Sequence, residues 1–490
     1  MRVAIVTSIP GFQISNHTLT ITIIKICVPF STFIQPNLIN MRKLFFFLTL
    51  FLISFTSFSQ TIIQKDPLIE KMVKEVSPDS LKSYISTLVN FGTRNTLSTQ
   101  TNSQRGIGAA RQWVLSRFNE FAKQSGGRMS AFIDTTTLQK DGRRVDTTLL
   151  LGNVVARLKG TDPNDDRIFI ISGHLDNMRS NVMDRTGDAP GANDDGSGTA
   201  AVMECARVMS KYSFPATIIF VAVSGEEQGL LGSTFMAQKA KRENWNIEAV
   251  LNNDIMGSNN SSETNITDNT KVRVFSEAFE MADTGKAALN IRNLGLENDG
   301  KARQLARYVK EIGERYVDNL QVVMIYRNDR FLRGGDHLPY VMQGYAAVRI
   351  TEMNENYYHQ HQDVRVQNGI QYGDLLQYID FEYLRKNTCM NLCNLANLTK
   401  SPSMPQEVKI EVKNLTNYTN LTWNAPKTGK VKGYYILMRE TTSAFWQKKI
   451  FTTELKMDLP YSKDNYFFAV QSISEDGNEG LPVVPVPAGR

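Results

Sequence analysis

The sequence predicts an α/β domain built on a mostly parallel, mixed sheet flanked by helices, followed by a small all-β sandwich. Three observations predict it. From about residue 150 to 400, apolar runs bounded by turn residues alternate with segments of helical spacing, the pattern of strands and crossover helices. Several of those runs lead into a histidine or a carboxylate. Beyond Ser401-Pro402-Ser403-Met404-Pro405, the pattern changes to short alternating strands separated by turn residues.

The elements follow in chain order. Met41-Arg42-Lys43 is a basic start, Leu44 to Phe55 an apolar stretch, and Thr56-Ser57-Phe58-Ser59 a small-residue end. Together they read as a secretory signal over 41–59, with Gln60 the first mature residue. That stretch is too short to span a bilayer comfortably, so no integral membrane segment is expected once it is removed, and the location is secreted or extracytoplasmic. Residues 1–40 then read as a misassigned upstream extension. Pro78-Asp79-Ser80-Leu81 opens one helix, and Gly106 to Ala110 leads into Trp113, Val114 and Phe118 at helical spacing. Thr199–Met209, Gln228–Lys241 and Gln371–Leu398 read as further helices. The α/β domain is expected over 60–400, a linker over 401–405 and the sandwich over 406–490. In the sandwich, strands are expected at Val408–Val412, Asn420–Trp423, Gly433–Met438 and Tyr466–Val470. Trp423 and the Tyr466-x-Phe468-x-Val470 strand resemble a fibronectin type III module.

Bulk numbers narrow the functional classes. A chain of 490 residues exceeds one ordinary core. The formal charge of +6 is carried largely by residues 1–59, which hold Arg2, Lys25, Arg42 and Lys43 and no acid; removing those four from 55 leaves 51 basic against 49 acidic residues. That balance argues against a nucleic-acid partner. Four cysteines are too few for a disulfide scaffold. Cys205, Cys389 and Cys393 read as small buried hydrophobes.

The chemistry sits where apolar runs stop. His174 follows Ile168–Ile171, Glu226-Glu227 follow Thr217–Val223, Asp254 follows Val250–Asn253, and His359 comes shortly after Ala346–Ile350. Ligands bind beyond the carboxyl ends of parallel strands, so these residues are expected to share one metal site. Asp176, two residues past His174, is placed to orient its ring. Asp194 precedes a helix and, taken alone, reads mostly as an N-cap or a solvated turn residue. The adjacent glutamates point in different directions, so one is free to bind metal while the other holds a water.

His174-x-Asp176, Asn193-Asp194-Asp195-Gly196-Ser197-Gly198, Gly225-Glu226-Glu227-Gln228-Gly229, Asn253-Asp254-Ile255-Met256-Gly257 and Tyr358-His359-x-x-x-Asp363 resemble, in order and spacing, the motifs of the M28 family of dinuclear zinc aminopeptidases. The resemblance covers roughly residues 75–400 and implies the zinc exopeptidase fold. It implies one zinc held by His174, Asp194 and Asp254, and a second held by Asp194, Glu227 and His359, with manganese or cobalt as substitutes. It further implies Asp176 as the orienting acid, Glu226 as general base toward a water shared by the ions, and Tyr358 as donor to the developing oxyanion. The implied substrates are peptides or proteins with a free N-terminus. Asp336-His337-x-Pro339 resembles a segment that walls the substrate site.

The last motif departs from the family. His359-Gln360-His361 offers two imidazoles, and the step to Asp363 favours His359, leaving His361 in the loop. Residues 177–190 read as a solvated loop near the entrance. Arg330 and Arg333 leave room for a carboxypeptidase or dipeptidase on the same scaffold. A glutaminyl cyclase would need only one zinc. A non-catalytic adhesion protein would make the sandwich the working part.

Overall fold

The computed structural model describes residues 63–280 and 283–488. The expected signal segment 41–59 and the extension before it lie outside the described residues. No helix among the described residues is long and apolar enough to cross a membrane.

An eight-stranded mixed sheet runs in the order β1-β2-β4-β3-β5-β8-β6-β7. Its parallel centre is β4 (Thr217–Val223), β3 (Arg167–His174), β5 (Asn246–Asn253) and β8 (Ala347–Glu352). The hairpin of β1 (Met129–Leu138) and β2 (Leu149–Leu158) extends one side antiparallel. The other side carries β6 (Lys271–Phe275), antiparallel to β8, and β7 (Gln321–Ile325). The central strands are apolar throughout because both faces are covered. Phe169, Ile171, Phe220 and Leu251 face a core shared with the helices Pro78–Asn90, Gly106–Ala122, Gly196–Met209, Lys301–Tyr316 and Phe381–Lys400. Ile168, Ile170, Val221 and Val250 face Met236, Ala237 and Ala240 of the helix Leu231–Arg242. Successive residues alternate between the two cores, the period of two that a strand imposes.

The register sets the strand ends level. His174 pairs with Val223, Gly173 with Asn253, and Asn253 with Ile350. The helix starting at Gly196 is pressed onto those ends. A Cβ at Gly173 would lie 2.5 Å from the Gly198 carbonyl carbon, and one at Gly198 would lie 2.6 Å from the Asn253 oxygen. Only glycines permit that approach.

Two expectations of element boundaries change. The closing helix starts at Phe381, not near Gln371; residues 370–372 form a short strand with 365–367, followed by a 3₁₀ turn. The segment 401–405 is not a free tether, since Ser401, Pro402, Ser403 and Pro405 are buried and the Ser401 carbonyl accepts from Arg167 Nη2 at 2.8 Å.

The C-terminal strands form one sheet of β15 (Lys456–Leu459), β12 (Thr419–Asn424), β11 (Gln406–Ile410) and β17 (Val486–Pro487), and a second of β14 (Lys448–Thr452), β13 (Gly433–Glu440) and β16 (Tyr466–Ile473). Val408, Leu421, Trp423, Ile436, Leu459 and Val470 come from both sheets and share one core, which makes a sandwich. It is bolted to the α/β domain by buried polar contacts. Glu479 pairs with Arg315 at 2.8 Å, and Lys449 pairs with Glu311. Arg439 Nη2 reaches Asp299 at 2.6 Å, and Asn478 donates to Asp66 at 3.0 Å.

Candidate metal centre

His174, the last residue of β3, ends a run whose ring position is fixed from both sides. Its backbone N–H donates to Asp195 Oδ2 at 2.8 Å, and its carbonyl accepts from Thr199 Oγ1 at 2.8 Å. Its Nδ1 lies 3.0 Å from the carbonyl oxygen of Asp176 and 3.7 Å from that residue's carboxylate. The ring is therefore oriented chiefly by a backbone carbonyl. The Asp176 carboxylate does a different job from the one expected. It accepts the N–H groups of Glu226 and Glu227, both at 3.2 Å, and the Thr96 hydroxyl at 3.0 Å. It thus fixes the glutamate pair beyond the end of β4.

That leaves His174 Nε2 pointing inward, 3.1 Å from Asp194 Oδ1 and 3.8 Å from Asp254 Oδ1. On the far side, Asp194 Oδ2 lies 3.0 Å from His361 Nε2, and Glu227 Oε1 lies 3.3 Å from the same nitrogen. Asp194 thus presents one oxygen to each imidazole. Ligand atoms of His174, Asp194 and Asp254 fall within 4.8 Å of one another, as do those of Asp194, Glu227 and His361, and those of His174, Glu226 and Glu227.

His361, not His359, faces this cluster, which corrects the reading of the last motif. His359 stacks on Tyr378, centroids 3.7 Å apart and planes at 11°, and burial lowers its pKa to about 4. His361 sits in a left-handed turn at φ +52°, which reverses the chain and turns the second imidazole inward. Spacing to Asp363 misled the sequence reading, since Asp363 is spent on Arg179 at 2.7 Å. Tyr358 also fails to reach the site. Its ring stands edge-on to Tyr372 at 5.4 Å, and it is absent from the cavity wall.

Residues the sequence did not single out hold the frame. Asp195 caps the helix through Gly198 N–H at 2.9 Å and also accepts from Ile255 N–H at 3.1 Å. With its bond to His174, one carboxylate links the loops after β3 and β5 and the helix Gly196–Met209. Ile255 is held at φ +62°, rare for a β-branched residue, and its carbonyl accepts from Glu352 N–H at 2.8 Å and Thr351 Oγ1 at 3.0 Å. Asp374 accepts the N–H of Asn193 at 2.9 Å and of Asp194 at 2.7 Å; burial raises its pKa to about 7. Arg94 is buried and spends its guanidinium on the carbonyls of Leu88, Leu175, Pro190 and Gly191. Arg349 Nη2 stands 3.0 Å behind Asp254, and its Nη1 binds Asp329 at 2.9 Å. An arginine inside the apolar run of β8 was a visible signal; nothing local marked Asp374.

The electrostatics ask for cations. Burial and the neighbouring Asp254, Glu227 and Asp336 push the Glu226 carboxyl well above its ordinary range, against the pull of His174. Burial alone would lower the His174 and His361 pKa values, but the carboxylates around them drive both well above 6.5. Glu227 Oε1 is buried and accepts no hydrogen bond among the described residues, an orphan that a bound ion would satisfy. Two imidazoles and three carboxylates are a donor set suited to zinc. The donors open into a cavity of about 440 Å³ whose wall includes Arg144, Met178, Leu230, Arg330, Leu332 and Arg333.

A family profile described as Peptidase family M28 matches residues 153–378. A protein of Leptosphaeria maculans named "Probable zinc metalloprotease" is 40% identical over 420 residues, covering 86% of this chain and 97% of its own. A "Probable zinc metalloprotease" of Pyricularia oryzae is also 40% identical over 420 residues, covering 84% and 83%. Among solved structures, the LapA aminopeptidase of Legionella pneumophila overlays with a TM-score of 0.48 at 20% identity, covering 70% of this chain and 78% of that one. With the family profile matched over 153–378 and a relative at 40% identity covered over 97% of its length, this chain belongs to peptidase family M28.

Proposed function

We propose that the chain is a zinc-dependent aminopeptidase that hydrolyses N-terminal residues from peptides. The observation that carries this reading is Asp194, which offers one oxygen to the His174 side and the other to the His361 side. His174, Asp194 and Asp254 would hold one ion, and Asp194, Glu227 and His361 the second. The printed names of the relatives support zinc as that metal. When bound, two such ions supply Lewis acidity and charge to the reacting carbonyl and water.

The chain's own residues supply the rest. Glu226 lies beside the ligand set but outside both three-residue groups that contain Asp194. It is placed to take a proton from an attacking water and pass it to the leaving amine, work worth about 10²–10⁴-fold. Asp176 holds the Glu226 backbone, so the carboxylate stays aimed. The carboxylates among the cavity lining suit the substrate's α-ammonium. Arg330 is engaged by Glu355 at 3.0 Å and Asp329 at 3.4 Å, so of the two arginines behind the carboxypeptidase or dipeptidase alternative only Arg333 stays without a carboxylate partner among the described residues. Secretion rests on the segment 41–59. A fibronectin type III identity for the sandwich is supported by its pairing of β12 with β11 and β15, and of β13 with β14 and β16.

The test is Glu226→Gln. The variant should keep both ions by elemental analysis and lose turnover of aminoacyl chromogenic substrates by at least ~100-fold. Near wild-type turnover would overturn the assignment.

A further inference from the structure

The cavity is bipolar. Its lining carries both signs: Asp194, Glu226, Glu227 and Asp254 on one hand, and Arg144, Arg330 and Arg333 on the other. Arginines so close to four carboxylates would ordinarily pair with them. Arg330 is already neutralised by Glu355 and Asp329. Arg144 and Arg333 are not: among the described residues neither makes an ion pair with any carboxylate. Arg144 projects from the β1–β2 hairpin loop, and its side chain is tethered by one N–H to the Glu227 carbonyl, beside the metal centre. Arg333 comes from a separate loop and makes no side-chain hydrogen bond among the described residues. Its neighbours Phe331 and Leu332 are 74% and 92% exposed, and Leu332 is part of the cavity wall.

Two guanidiniums without a carboxylate partner among the described residues, converging from different loops on one cavity beside an exposed leucine, form a surface suited to an anion. We infer that Arg144 and Arg333 form an anion subsite that selects peptides bearing a carboxylate close to the scissile bond. This rests on the peptidase reading above and adds the substrate class. The same carboxylate chemistry has two sources: the chain end of a dipeptide, or an acidic side chain at the first or second residue. The Arg330 pair with Glu355 keeps that third arginine structural, so the selectivity belongs to the other two.

The experiment uses zinc-loaded full-length protein and two readouts. Turnover is compared for dipeptides with a free carboxylate against their amides, and for amidated tripeptides with Asp or Glu against Asn or Gln at positions one and two. Binding of the same peptides to the Glu226→Gln protein is measured by calorimetry. The carboxylate form of the responsible pair should be favoured about tenfold in both kcat/KM and Kd, the range of one charge-assisted contact. Arg333→Ala and Arg144→Ala should each shrink that ratio, mainly through KM, and Arg333→Lys should restore part of it. Added salt should also shrink it. The arm that responds identifies the source. A ratio near one in the binding measurement, or a ratio unchanged in both alanine variants, overturns the subsite. Absence of turnover with selective binding intact would overturn the peptidase reading and leave the subsite standing.

Discussion

Replacing each histidine of the last motif separately gives opposite outcomes. His361→Ala removes the imidazole that lies 3.0 Å from Asp194 and 3.3 Å from Glu227, leaving two carboxylates at that position. Side chains that merely orient a ligand are worth about 10–100-fold in metal affinity. Removing the ligand itself should therefore weaken this position by at least ~100-fold, about 2.7 kcal/mol. His359→Ala removes only a ring stacked on Tyr378, which should cost about 0.5–1.5 kcal/mol of stability and no metal. The assay is zinc per chain by elemental analysis after dialysis against buffered zinc, with thermal melting alongside. The wild type and His359→Ala should hold equal zinc, and His361→Ala one ion fewer. If His359→Ala loses the ion and His361→Ala keeps it, the geometry drawn here is wrong.

Two further outcomes follow. The metal-free protein should lose stability as pH rises above about 6.5. His174 and His361 have folded pKa values raised above 6.5, so their contribution is complete below that value and fades as pH climbs through the raised ones. Zinc replaces those protons, so the melting-temperature gap between loaded and stripped protein should widen with pH; a flat or narrowing gap would refute the argument. Glu479→Ala removes the buried carboxylate that Arg315 and Lys449 share, while both keep Glu311, a loss worth about 1.5–3 kcal/mol. Calorimetry should then split one unfolding transition into two, the sandwich first, whereas a single unshifted transition would show that the two domains do not depend on this contact.

Much of the site was legible because a buried strand has a fixed relation to its own end. Thr217–Val223 was expected as a strand and is one, and the glutamates that follow it reach the cluster because β3, β4 and β5 end level. The same logic placed His174 and Asp254, at the end of β3 and just past β5. The long helical reading from Gln371 failed because that stretch first doubles back to bring Asp374 under the Asp194 backbone.

Apolar runs, their lengths and their terminal residues are local properties, so the parallel sheet, the C-terminal sandwich and the positions of His174, Glu227 and Asp254 at or just past strand ends were legible from them. Only the tertiary structure decided which of two nearby histidines turns inward. That choice depends on a left-handed turn at His361 and a stacking partner, Tyr378, that is adjacent in space and not in the motif. It likewise decided that Asp176 holds the glutamate pair and that Arg144 and Arg333 share a cavity. Contacts between distant segments are fixed by packing, and no local pattern encodes them.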